Sequence, residues 1–269
     1  MGFRTRAIAG AAATALFAVT AAVTAAAPAE AAAVKTVKVR MSDSAITFSG
    51  GGASTANGVT TLHAGRYHFH VVSGGGSHVL QLIRFQNGYT ADQAQADFQK
   101  AFEGDVPAVQ RIDNGVVFLG GADASPKASG DMVATVRAGQ LVAIDQNGDA
   151  VAPLNVVGKV GKTGTASHRG KYTSFTYGWG VSKRLPASGT VKFANQSDQP
   201  HFLVLQRVKA STTNKQVRKF INSGLQSNPS WGLKASADAG VVSPGKSQLL
   251  SYDLPAGRYL VMCFWPDYF

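Results

Sequence analysis

Two stretches of this chain repeat one pattern 123 residues apart. The first begins at Leu62 and runs LHAGRYHFHVVSGGGSHVLQLIRF; the second begins at Leu185 and runs LPASGTVKFANQSDQPHFLVLQRV. His78 and His201 each open an alternating apolar run that leads to an arginine, Arg84 or Arg207. Thr90 and Thr213 follow at the same offset. Further on, the segment from Gly120 parallels the one from Ala235. Ala138-Gly139 is matched there by Ala256-Gly257 at a spacing of 118 residues, so a few residues differ in the loops. Self-similarity over this length means that one structural unit is used twice.

Each unit reads as β. Tyr67, Phe69 and Val71 alternate with polar residues, as do Val191 and Phe193. That period belongs to a strand with one buried face. Leu80 and Leu82, then Leu203 and Leu205, repeat it. One short helix interrupts each unit. Thr90 with Gln93, and Thr213 with Gln216, have capping-box spacing, and Ala94/Phe98 and Val217/Phe220/Ile221 supply apolar faces. Glycine is 30 of 269 residues and only 15% are charged, which suits turn-rich strands better than helices. The expectation is an all-β protein of two tandem β-sandwiches, residues 34–161 and 172–269, joined by a polar, basic linker at 162–171.

The N-terminus reads as a signal peptide over 1–31, with cleavage as late as 33. Arg4 and Arg6 precede an uncharged apolar stretch, and Ala29-Glu30-Ala31 is a cleavage pattern. This predicts a secreted, extracellular protein. No later segment has the roughly 20 apolar residues of a transmembrane helix. Export gives weight to the cysteine count: Cys263 is alone, so it cannot close an internal disulfide. A leftover thiol in an exported chain is a reactive group, an intermolecular bridge or a metal ligand, or else a buried inert residue.

The second unit then offers a constellation. Phe193 lies in a strand, Asn195 ends it, and Pro200-His201 opens the next strand. Cys263 ends a later one. This resembles the cupredoxin family, the blue-copper fold of plastocyanin and azurin. The resemblance implies Greek-key sandwiches, with His201 and Cys263 as the first two copper ligands. In the family a second His and a Met follow in the same loop; here Cys263 is followed by Phe264, Trp265, Pro266, Asp267, Tyr268 and Phe269. A trigonal His₂Cys site with a weak axial ligand is thus only half supplied.

The first unit sharpens this. Asp145 aligns with Cys263, and a carboxylate cannot form the copper–thiolate bond. After Asp145 the chain continues into Val151–Val160, which reads as a final strand. Nothing after Cys263 matches it, so the second unit is expected to lack its last strand, as in a C-terminally incomplete sequence. Phe264, Trp265, Tyr268 and Phe269 would then lie at an open end. His78 stands in the first-ligand place but equally suits a polar residue opening a strand. His68 and His70 flank Phe69 on the polar face, and with His63 could hold a divalent metal. A solvated strand face is the commoner use of such residues.

The net charge of +11 is spread along the chain and favours anionic surfaces such as cell-envelope polymers. No nucleic-acid motif is present. GKTGT at Gly161–Thr165 lacks P-loop spacing, and neither a nucleophile elbow nor a zinc-protease helix motif occurs. Multicopper oxidases need more than the six histidines here. The expected function is a secreted binding or electron-transfer module, not an enzyme, with copper and a redox partner in view. The alternative is a copper-free interaction protein on the same scaffold.

Overall fold

A computed structural model describes residues 23–24, 34–161, 166–175, 178–182, 185–224 and 229–266. The expected signal peptide falls outside them, apart from Val23–Thr24. The first half contains β1 (Val23–Thr24), β2 (Lys35–Ser42), β3 (Ala45–Gly50), β4 (Ser54–Ala56), β5 (Val59–His63), β6 (Gly65–Ser73) and β7 (His78–Phe85). Helices α1 (Ala91–Phe102) and α2 (Val106–Gly115) follow, then β8 (Val116–Ala124), β9 (Gly130–Val136), β10 (Gly139–Asp145) and β11 (Val151–Val157). The second half contains β12 (Lys171–Phe175), β13 (Gly178–Val181), β14 (Leu185–Pro186), β15 (Ser188–Asn195), β16 (His201–Val208), α3 (Asn214–Asn222), β17 (Gly232–Val242), β18 (Ser247–Asp253) and β19 (Arg258–Met262).

The protein is mostly β, and its strands form two large mixed sheets packed as a sandwich. One runs β19-β16-β17-β8-β7-β10-β11-β5-β4 and the other β13-β12-β15-β18-β9-β6-β2-β3. Each half keeps its own core between the sheets. Phe69, Leu80, Leu82 and Met132 are fully buried in the first; Val191, Phe193, Leu203 and Leu205 fill the second. Each such side chain contributes roughly 1.5–3 kcal/mol on burial. The strand registers carry the offsets seen in the sequence. Gln81 pairs with Ile144 across β7 and β10, and Val204 pairs with Met262 across β16 and β19.

The halves do not stand apart. Strands β8 and β17 pair antiparallel, and so do β9 and β18, so both sheets run unbroken through the molecule. Two buried glutamines lock this seam reciprocally. Gln81 of the first half accepts the Val241 N–H at 2.7 Å, and Gln248 of the second accepts the Gly121 N–H at 2.8 Å. The backbones approach so closely that a Cβ on Gly240 would lie 2.5 Å from the Gly121 Cα. Pairing these strands also removes four sheet edges that separate sandwiches would expose.

Both capping boxes form as the sequence predicts, at Thr90/Gln93 and Thr213/Gln216. The expectation of one helix per unit needs correction in the first half, where α2 is added. Asp105 caps it by accepting the Ala108 N–H, Pro107 sits in its first turn, and Ala108, Val109 and Ile112 are buried. Of the expected linker, residues 162–165 lie outside the described residues. Ala166 is buried against Val133 and Leu249. Among the described residues, no strand pairs with the outer edge of β19, whereas β10 is flanked by β7 and β11.

Candidate metal centre

Asn195 ends β15 and is 1% exposed. Its Oδ1 accepts from the Ser197 N–H at 2.9 Å and from the Ser174 hydroxyl at 3.1 Å. Its Nδ2 donates to the Gln199 carbonyl at 2.7 Å and the Val242 carbonyl at 2.9 Å. This side chain organises the loop that delivers His201, so the strand-to-histidine spacing in the sequence has a physical cause. Strand β19 brings Cys263 to the same end of the second core. His201 Nδ1 lies 3.2 Å from Cys263 Sγ. The two residues expected to converge therefore do.

Two backbone N–H groups reach the sulfur. The Trp265 backbone N–H donates to Sγ at 3.4 Å, and the Phe202 N–H also points at it. Burial pushes the thiol up to about 11, outweighing the pull of these two donors. Without a cation beside it, Cys263 stays protonated at neutral pH. Trp179 packs edge-on to the His201 ring, with centroids 6.2 Å apart, and also contacts Phe193. Nothing in the sequence singled out Trp179, because β12 and β13 carry it to the site from far upstream.

The equivalent end of the first half holds different chemistry. His78 Nδ1 is 2.6 Å from Asp145 Oδ2, and the two side chains are 3% and 0% exposed. The other ring nitrogen, Nε2, meets the Gly75 carbonyl, with Asp43 beyond at 3.9 Å. Asp145 Oδ1 also accepts the N–H groups of Val79 at 3.0 Å and Asn147 at 3.1 Å. Burial alone would lower the His78 pKa. The hydrogen bonds and charges of Asp145, the Gly75 carbonyl and Asp43 overcome it, so the net shift is upward. Both ring nitrogens thus meet oxygen partners, and the upward shift favours the charged form that can donate to both. Its role is half of a buried ion pair.

His68 and His70 lie on β6 where the alternation placed them, but His63 is not their partner. Asp131 of β9 is. His68 Nε2 is 2.6 Å and His70 Nδ1 2.8 Å from the same carboxylate oxygen. His63 ends β5, in the opposite sheet, which no strand periodicity reveals. Asp131 pairs with His70 only through the antiparallel β6–β9 register. The expected open end is also partly covered. Trp265 packs edge-to-face on Phe118 of the first half at 5.3 Å, while Phe264 is 36% exposed. Tyr268 and Phe269 lie outside the described residues.

No family model matches the chain, and no curated protein matches it. Among solved structures it is similar to auracyanin A, a blue copper protein from Chloroflexus aurantiacus, at 14% identity and a TM-score of 0.29. That match covers 49% of this chain and all of auracyanin A. It is also similar to Lac15 from a marine microbial metagenome, at 13% identity and a TM-score of 0.25, over 85% of this chain and 61% of Lac15. A blue copper oxidase from Nitrosomonas europaea gives 10% identity and a TM-score of 0.22, over 85% of this chain and 78% of the oxidase. The chain thus spans about three fifths of the length of Lac15. At these TM-scores the likeness carries no weight for the site, whose case is its own geometry.

Proposed function

We propose that this chain is an exported, non-enzymatic, cupredoxin-like module. In it one sandwich unit is duplicated over 34–161 and 172–269, and only the second unit takes copper, through His201 and Cys263. The observation that carries this is the 3.2 Å approach of an imidazole nitrogen to a lone thiol that accepts two backbone N–H groups. A soft thiolate beside an imidazole selects copper over hard cations. The fit is partial: among the described residues, no third His, Cys, Asp or Glu joins the pair. Copper bound there would supply one-electron exchange. The chain's own residues would orient the imidazole through Asn195, stabilise the thiolate through two N–H donors and shield one side with Trp179. Because the thiol is protonated beforehand, metal uptake releases its proton.

The test is addition of copper(II) to the reduced protein. The expected result is an intense visible absorption that Cys263→Ser abolishes and His201→Gln weakens. A protein that stays colourless overturns the proposal. The same scaffold supports a second reading, an extracellular protein that binds anionic envelope polymers without copper. The first unit favours it, because an ion pair there fills the ligand positions and the fold stands. That reading predicts envelope binding that weakens with salt, whatever residue is at 263.

A further inference from the structure

We propose that His68, His70 and Asp131 form a second, independent site for a divalent first-row transition cation such as Zn²⁺, on the outer face of the eight-stranded sheet. Alternation along β6 places both imidazoles on one face with Phe69 turned into the core. Antiparallel pairing then sets Asp131 of β9 opposite His70. His68 Nε2, His70 Nδ1 and a carboxylate oxygen lie within 4.8 Å of one another, at side-chain exposures of 33%, 36% and 26%. The ligands are therefore reachable from solvent and carried by two rigid neighbouring strands.

The donor set decides the cation. Two imidazoles with one carboxylate suit zinc and its neighbours, whereas calcium and magnesium demand oxygen ligands. Zinc binds such atoms at about 2.0–2.2 Å, which sets tetrahedral ligand atoms roughly 3.3 Å apart. The present separations of 2.6 and 2.8 Å from imidazole to carboxylate must open by about half an ångström, which half-exposed side chains can do. In the metal-free state the same oxygen accepts a hydrogen bond from each ring; on cation binding each ring proton shifts to its other nitrogen, which frees a lone pair for the metal. Thr36 Oγ1 lies 3.3 Å from the other nitrogen of His68 and orients that ring. Three protein ligands leave a fourth position for water, the arrangement of an open rather than a closed zinc site. Lys38, opposite His70 on β2, places a positive charge beside the site and weakens it.

The experiment is calorimetric titration of the full chain with Zn²⁺, in the Cys263→Ser background so that the thiol takes no part. The expected result is one Zn²⁺ per chain, at least tenfold tighter than Ca²⁺. His68→Gln, His70→Gln and Asp131→Asn should each weaken binding tenfold or more. Zn²⁺ should also raise the melting temperature of the Cys263→Ser chain and leave that of the His68→Gln/His70→Gln chain unmoved. All three side chains are partly exposed, and unchanged circular dichroism without metal shows that the variants fold. Saturable Zn²⁺ binding that survives in the double variant, or binding no stronger than that of Ca²⁺, overturns the proposal. Failure here leaves the copper test at His201 and Cys263 untouched, since that pair lies in the other half.

Discussion

The His78–Asp145 pair and the His201–Cys263 pair occupy matching places in the two halves. Each joins the first residue of one strand to the end of a neighbouring strand. In the first half the second partner is a carboxylate, and the result is a buried pair in which both ring nitrogens of His78 and both oxygens of Asp145 have partners. In the second it is a thiol, held neutral by burial and backed by two N–H groups. One scaffold thus places two side chains in contact at this end, and a single residue decides whether the contact is a carboxylate–imidazole pair or a thiol–imidazole pair. The lead-in differs too. Ser73 closes the glycine-rich turn before His78, accepting the Gly75 N–H at 3.0 Å, where buried Asn195 ties down the longer loop before His201.

Removing the acidic partner tests the contrast hardest. Asp145→Asn strips the carboxylate from a buried imidazolium and should destabilise the protein by about 3–5 kcal/mol in urea unfolding. Cys263→Ser, without metal, should cost about 1 kcal/mol. Equal losses would show that the thiol end is as structural as the ionic one. The ion pair also has a pH signature. The folded pKa of His78 is raised above the ordinary 6.5, so its contribution is complete below that pH and is lost as pH rises through the folded value. Asp145→Asn should flatten that part of the profile, and Cys263→Ser should not.

The seam between the halves gives the next largest effect. Asp123 of β8 and Asp238 of β17 lie beside each other across it. Burial first, and then the charge of Asp123, raises Asp238 from 3.8 to about 7. Below pH 3.8 it is protonated in both the folded and unfolded chain. As pH rises toward 7 only the unfolded chain ionises, so stability should fall, by about 4 kcal/mol. Asp238→Asn should remove most of that slope and leave the His78 phase in place. Burial also raises Asp123, so a smaller slope of the same sign remains; an undiminished slope in this variant overturns the assignment to Asp238. The smallest effect concerns Trp265 and Phe118. A double-mutant cycle with leucine at each should give a coupling of about 1 kcal/mol, the usual value of an edge-to-face pair. No coupling would mean that the two halves meet here without energetic consequence.

Much of this was legible in the residues. Offsets of 123 and 118 predict the matching registers, because a residue shift would turn every buried leucine to the wrong face. Thr90 and Thr213 announce their helices through a local bond three residues long. Asp105 and Pro107 carry an equally local helix-start signal for α2, and it is weaker only because no counterpart in the second half repeats it. The approach of His201 to Cys263 was implied by the resemblance to cupredoxins, and it is realised because β19 pairs with β16.

Local pattern cannot say which surfaces meet. Alternation puts His68 and His70 on one face but cannot choose Asp131 over His63, since that choice is made by which strand lies next to β6. It turns Gln81 to the polar side between Leu80 and Leu82, and gives no sign that this side is buried at a seam with Val241 of the other half. It makes Trp265 the end of an open strand, where packing finds it Phe118. Periodicity determined the strands through Phe69, Leu80, Phe193 and Leu203 and their inner faces, because burial acts residue by residue along a strand. Only the tertiary structure decided the seam, the His78–Asp145 closure and the His68–His70–Asp131 cluster, because those depend on contacts between strands far apart in the chain.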